Sequence, residues 1–196
     1  MVLWFIHKVA PIRKRYISNW GPKWIKYKVD SFANLLQPTD TILDIGAGGA
    51  LISKELMNRG HRVTPLDLEN LSYLPEIEPI VYDGQTMPFE ENSHDVALLL
   101  TVLHHTQDPE AILQETKRVA KRIILIEDVY NNVFQKYLTF FMDGIVNWGY
   151  SPCPHTNKDD KGWKATFKQL DLELVSVSYL RVLFFFRQAV YELRSN

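Results

Sequence analysis

TILDIGAGGA, residues 41–50, passes from an apolar, strand-like run into three glycines, with Asp44 set two residues before the first of them. A strand, a glycine turn and a helix together present bare backbone N–H groups where an anionic or polar ligand can come close. The segment from Ala50 to Arg59 reads as that helix, and Gly60 suits its left-handed end. Two nucleotide motifs use such a turn, and neither fits. The dinucleotide fingerprint G-x-G-x-x-G/A starts at Gly46 and Gly48 but meets Leu51 at its last position, and no Lys-Ser or Lys-Thr follows for a phosphate loop.

Outward from this turn, strand-like and helix-like segments alternate. The strand candidates are Thr41–Ile45, Arg62–Leu66, Pro79–Tyr82, Asp95–Leu100 and Arg122–Ile126. Before the fifth comes DPEAILQETKRVA, with Asp108 as N-cap, Pro109 at the first helical position and Ile112, Leu113, Thr116 and Val119 on one face. Upstream, GPKWIKYKVDSFANLL predicts a helix opened by Pro22, with Ile25, Val29, Phe32 and Leu36 in a stripe and Trp20 stapled onto Ile25. Downstream, NVFQKYLTFFMDGI is helix-like and leads into the turn-rich NWGYSPCPHTNKDDKG; so long an interruption suits a lid or binding element. A helix near Gly162–Leu170 precedes LELVSVSYL and RVLFFFRQAVYEL, which read as an antiparallel hairpin at a sheet edge. The expected fold class is α/β: a doubly wound, mostly parallel seven-stranded sheet, helices on both faces, and a C-terminal antiparallel strand.

The chain has 196 residues, enough for one full-sized domain. No run approaches the roughly 18 apolar residues of a membrane span. The N-terminal MVLWFIHK lacks a secretory pattern, and Cys153 is the sole cysteine, so neither a disulfide framework nor a multi-cysteine metal site is expected, and the expected location is cytoplasmic. Net charge is −1, but seven of the 22 Lys and Arg residues fall within residues 1–29, which contain no acid. Trp4, Phe5, Tyr16, Trp20, Trp24 and Tyr27 lie among them. Such a segment is either a solvated face whose aromatics pack inward or a contact with an anionic surface.

Asp44-Ile-Gly46-Ala-Gly48-Gly49-Ala50 resembles the D-x-G-x-G-x-G signature of class I S-adenosylmethionine-dependent methyltransferases, and MPFEENSHDVALLLTVLHHTQDPEAILQETKRVAK resembles their quinone-biosynthesis-like branch, methyltransferase type 11. The likeness covers roughly residues 35–128 and resumes in WKATFKQLDLELVSV. It implies S-adenosyl-L-methionine as cofactor, a Rossmann-like fold, and binding by Asp44, Gly46, Ala47, Gly48, Asp67, Leu68, Asp83, Gly84, Thr101 and His104. Asp67, 19 residues beyond Gly48, takes the place of the family's ribose acid; Asp83 takes that of its adenine contact. Ala50 replaces the third glycine, which suits a negative φ; a positive φ would mean strain. Asp44 is expected to hold the glycine turn or its ligand. Gln85, Thr86 and Met87 either line the adenine pocket or form the turn before Pro88.

The resemblance makes residues 1–196 a single methyltransferase domain, with a helical basic and aromatic extension over 1–37 and an inserted lid or acceptor-binding element over 130–161. His105 and Glu127 are the candidate catalytic residues, as bases at the crevice; His155 is a third by location, and Glu127 with Asp128 suits helix capping equally well. Tyr16, Trp20, Phe140, Phe141, Trp148 and Tyr150 are candidates to roof an apolar acceptor site. No metal is expected, since adjacent His104 and His105 cannot readily aim at one ion. The expected partner is a small-molecule or lipid-like acceptor, with peripheral anionic-membrane contact through the N-terminus and no nucleic acid. The alternative is a catalytically inactive S-adenosylmethionine-binding regulatory or interaction module.

Overall fold

The computed structural model describes residues 2–147, 154, 156–182 and 186–195. Trp148, Tyr150, Cys153 and His155 lie outside the described residues, as does the side chain of Trp20. The chain opens with α1 (Val2–Lys8) and α2 (Ala10–Arg15), and then a π turn over Tyr16–Trp20 leads into α3 (Gly21–Asp30). Pro22 therefore does not open a helix, as its sequence context predicts; it lies inside a helical path that begins at Ala10. Proline has no N–H for the carbonyl four residues back, and the π register, in which Gly21 N–H donates to Tyr16 O, accommodates that gap. The path also stops earlier than expected, at Asp30, where the Ser31 hydroxyl donates to Lys28 O at 2.6 Å.

Then follow β1 (Thr41–Ile45), α4 (Leu51–Asn58), β2 (Arg62–Asp67), β3 (Ile80–Val81), β4 (His94–Leu100), α5 (Pro109–Val119) and β5 (Ala120–Val129). The predicted signals work as read. Gly60, at φ +92°, ends α4 in a Schellman motif, with His61 N–H to Leu56 O at 3.1 Å and Gly60 N–H to Met57 O at 3.0 Å. Asp108 caps α5 by accepting Ala111 N–H at 2.9 Å. The chain closes with α6 (Val133–Asn147), α7 (Asp160–Gln169), β6 (Leu172–Val182) and β7 (Phe186–Ser195).

Among the described residues, seven strands form one sheet in the order β3-β2-β1-β4-β5-β7-β6. β1 to β5 pair in parallel, and β7 runs antiparallel to β5 and β6. Period-two alternation divides the core. Leu43, Ile45, Ala97, Leu99, Ile123 and Leu125 face α5 and α7, with Leu113, Trp163 and Phe167. Ile42, Val96, Leu98, Ile124 and Ile126 face α3 and α4, with Val29, Phe32 and Leu56. At the amino ends of the strands, Arg122 pairs with Asp40 at 2.7 Å and Lys121 with Asp95 at 2.8 Å. The opposite ends of β1 and β4 meet where strand order reverses, and an open α/β sheet forms its crevice there.

Candidate active site

The turn after β1 is shaped by its backbone. Gly46 and Gly48 have φ values of +72° and +51°, and Gly46 and Ala47 donate to Leu66 O at 2.8 and 3.1 Å. A Cβ on Gly46 would lie 2.6 Å from Val102 Cγ2, so both conformation and the neighbouring loop require glycine. Ala50 has φ +58° and is fully buried. The negative φ that would suit alanine is not adopted; the turn keeps the glycine-type conformation at a cost of about 1 kcal/mol.

Strand alternation also sorts the carboxylates. Asp44 shares the face of Ile42 and meets α4, whose Ser53 hydroxyl donates to it at 2.6 Å. Burial pushes the Asp44 carboxyl up to about 6. Asp44 is therefore not the acid that holds the glycine turn. Asp67 does that, accepting Gly48 N–H at 2.7 Å on one oxygen and Leu68 N–H at 2.7 Å on the other. Burial raises the Asp67 pKa, and these N–H bonds oppose the rise.

Beside it, Asp83 accepts Gln85 and Thr86 N–H at 2.8 and 2.9 Å, and those bonds lower its pKa. Gly84 has φ +79°, and a Cβ there would stand 3.0 Å from Leu68 Cδ2, while Leu68 itself is 57% exposed. Of the three residues left open in the sequence, Gln85 and Thr86 are exposed, whereas Met87 is buried in the core and donates its N–H to Glu115 at 2.7 Å.

The loop after β4 opens at Thr101, whose φ of +63° is unusual for a β-branched residue. Its N–H donates to Ile126 O at 2.7 Å, its hydroxyl donates to Leu100 O, and the same hydroxyl accepts Lys28 Nζ at 3.0 Å. Lys28 was missed in the sequence, although it lies three residues after Ile25 and four before Phe32, on the inner side of the predicted stripe. Burial lowers its pKa, opposed by the charges of Asp128, Glu127 and Asp44. Asp128 accepts Gln188 Nε2 at 3.0 Å, and burial raises its pKa.

Glu127 is fully buried on the other face. One oxygen accepts Val102 and Leu103 N–H at 3.0 and 2.8 Å, and the second lies 2.6 Å from His104 Nδ1. His104 is buried too, and its ring centroid is 4.1 Å from that of the half-exposed His105. Neither Glu127 nor Asp128 caps α6, which begins at Val133. Tyr73 is a second element not foreseen: its N–H donates to Gly49 O at 3.1 Å, and its ring lies 6.0 Å from His7. Among the described residues, no group of His, Cys, Asp or Glu is arranged to hold a metal ion.

These residues fit S-adenosylmethionine in kind. The glycine turn presents bare backbone, with Val102 and Tyr73 packed where a Cβ on Gly46 or Gly49 would stand, Asp67 ends β2 with lone pairs in reserve, and exposed Leu68 beside bare Gly84 offers an apolar face for a flat ring.

The family described as a methyltransferase domain matches residues 43–123. A ubiquinone biosynthesis O-methyltransferase of Rickettsia bellii (strain OSU 85-389) is 31% identical over 143 residues, covering 68% of this chain and 56% of that protein. A demethylmenaquinone methyltransferase of Renibacterium salmoninarum is 26% identical over 141 residues, covering 64% of this chain and 58% of that protein. The chain thus spans little more than half the length of these relatives. Among solved structures, a SAM-dependent methyltransferase from Methanosarcina mazei superposes with a TM-score of 0.63 at 19% identity, covering 84% of this chain and 96% of that one. Magnesium protoporphyrin IX methyltransferase from Synechocystis PCC 6803, solved with bound SAH, gives a TM-score of 0.58 at 14% identity, covering 89% of this chain and 83% of that one. The glycine turn, the reversed strand order and the matched segment agree: the chain carries a class I S-adenosylmethionine-dependent methyltransferase domain.

Proposed function

We propose that the protein transfers a methyl group from S-adenosylmethionine to a small-molecule or lipid-like acceptor. The observation that carries this reading is the glycine turn after β1 tied by its Gly48 N–H to Asp67 at the end of β2. When bound, the cofactor supplies a methyl group on a positively charged sulfur, already activated for displacement. The residues need to bind, orient and exclude water. In this reading Asp67 holds the ribose hydroxyls, and Leu68, Asp83 and Gly84 hold the adenine. Asp44, Gly46, Ala47 and Gly48 hold the amino-acid end, with Thr101 and His104 at its border. Lys28 adds a positive charge on the Thr101 side, suited to a carboxylate.

On the acceptor side, half-exposed His105 takes the role of base, and Glu127 becomes a positioning residue that fixes the loop carrying both histidines. The names of the two curated relatives attach them to ubiquinone and menaquinone chemistry, which supports a lipid-like acceptor. Titration calorimetry with S-adenosylhomocysteine tests the reading: saturable binding is expected, and a folded sample that gives no heat at millimolar ligand sinks it. The engagement of both Glu127 oxygens favours a second reading, a cofactor-binding module without transfer. Binding with no methylated product across phenolic and quinol acceptors would select that one.

A further inference from the structure

We infer that α6 and the basic N-terminal helices form a docking surface for an anionic lipid bilayer. On α6, Val133, Phe134, Tyr137 and Phe141 are 69%, 79%, 65% and 64% exposed. At ~100° per residue they fall within an arc of about 100°, one continuous apolar face. Thr139 projects to the opposite side of the helix and is buried, so α6 has an inner and an outer face. α6 packs against α1, so this apolar face adjoins the segment that holds seven Lys and Arg residues and no acid in its first 29 positions. Lys8, Lys14, Arg15, Lys23 and Lys26 are exposed, and Phe5 and Ile12 add apolar side chains at 42% and 40% exposure.

An apolar face set beside a cluster of exposed basic side chains matches the chemistry of an anionic bilayer surface, which offers acyl chains and phosphates together. Among the described residues no helix is long and apolar enough to cross a membrane, so the contact is peripheral. The face also begins close to the crevice, because Val133 lies only five residues beyond Asp128. The surface deepens the methyltransferase reading, on which its use rests: it would present the crevice to an acceptor held in the bilayer.

Sedimentation with vesicles tests the surface without cofactor or acceptor, so its failure is separate from failure of cofactor binding. Vesicles of phosphatidylcholine and phosphatidylglycerol in equal parts should sediment the protein, and phosphatidylcholine alone should do so far less. The double variant Phe134→Ser with Phe141→Ser, and separately Lys14→Glu with Arg15→Glu, should each weaken binding by roughly tenfold or more. Circular dichroism should be unchanged, because all four side chains are exposed. Lack of sedimentation with anionic vesicles, or binding indifferent to both double variants, overturns the inference. So does light scattering that finds a dimer which the Phe134→Ser, Phe141→Ser variant converts to monomer, since a second copy would then cover the face.

Discussion

The loops after β1 and β4 are secured in the same way. Each departs from its strand through a left-handed turn that includes a non-glycine residue, Ala50 at φ +58° or Thr101 at φ +63°. Each is held by a carboxylate from the end of the adjoining outer strand, Asp67 of β2 or Glu127 of β5. They differ in whether the carboxylate remains open to a ligand. Asp67 is only partly buried at the end of β2, and with Gly48, Leu68 and Glu69 N–H groups around it, it keeps part of a carboxylate's capacity of about four hydrogen bonds on a side open to solvent. Glu127 is sealed from water and shares its oxygens among two N–H groups and a histidine. One acid is arranged to receive a ligand, and the other to fix a loop.

The sharpest way to break this contrast is to remove each acid in turn. Glu127→Ala would strand two buried N–H groups and His104, and should cost about 3–5 kcal/mol of stability in urea denaturation. A near-neutral result would mean that the loop holds itself. Asp67→Ala should shift the urea midpoint less but weaken S-adenosylhomocysteine binding by about 1.5–3 kcal/mol in calorimetry. If stability fell as far as in the Glu127 variant while affinity held, the two acids would be doing the same job.

Asp44 gives the next largest effect. Its carboxyl sits near 6 in the ligand-free fold, above the ordinary value of 3.8, so the folded protein holds that proton more tightly than the unfolded chain. Its contribution to stability accordingly declines as pH rises from about 4 to about 6. A cationic ligand reverses the preference, since it favours the ionised acid. Affinity for S-adenosylhomocysteine, through its ammonium group, should fall by up to about tenfold per pH unit below 6, and Asp44→Asn should flatten that dependence. The smallest effect separates the two left-handed residues. Ala50→Gly should raise stability by up to about 1 kcal/mol, because only conformation is at issue there. Thr101→Gly should show no such gain, because it also removes the hydroxyl that accepts Lys28.

The scaffold was readable because its signals are local. Period-two apolar runs, Asp108 before Pro109, and Gly60 after a helical stretch each declare their role within a few residues, and β1 begins and ends where the pattern sets it. The glycine turn was readable for the same reason. The partners of the site were not. Lys28 meets Thr101 across 73 positions of chain, and Glu127 reaches back 25 to Val102, and nothing adjacent to either residue announces the pairing. Asp44 is an intermediate case. Its parity with Ile42 already put it on the α4 face, where Ser53 and not the glycine turn would be its neighbour. Pro22 misled because a proline near a helix start ordinarily marks that start, whereas here a π turn absorbs it.

The unbroken helical path from Ala10 to Asp30 has one further consequence. Lys14 and Lys28 lie on it 14 residues apart, or about 21 Å at 1.5 Å per residue. Exposed Lys14 and the Lys28 whose ammonium reaches Thr101 are thus joined by one helical path, with the π turn between them. A contact made at Lys14 is therefore made on the same helical path that carries the Lys28 ammonium to Thr101 at the crevice.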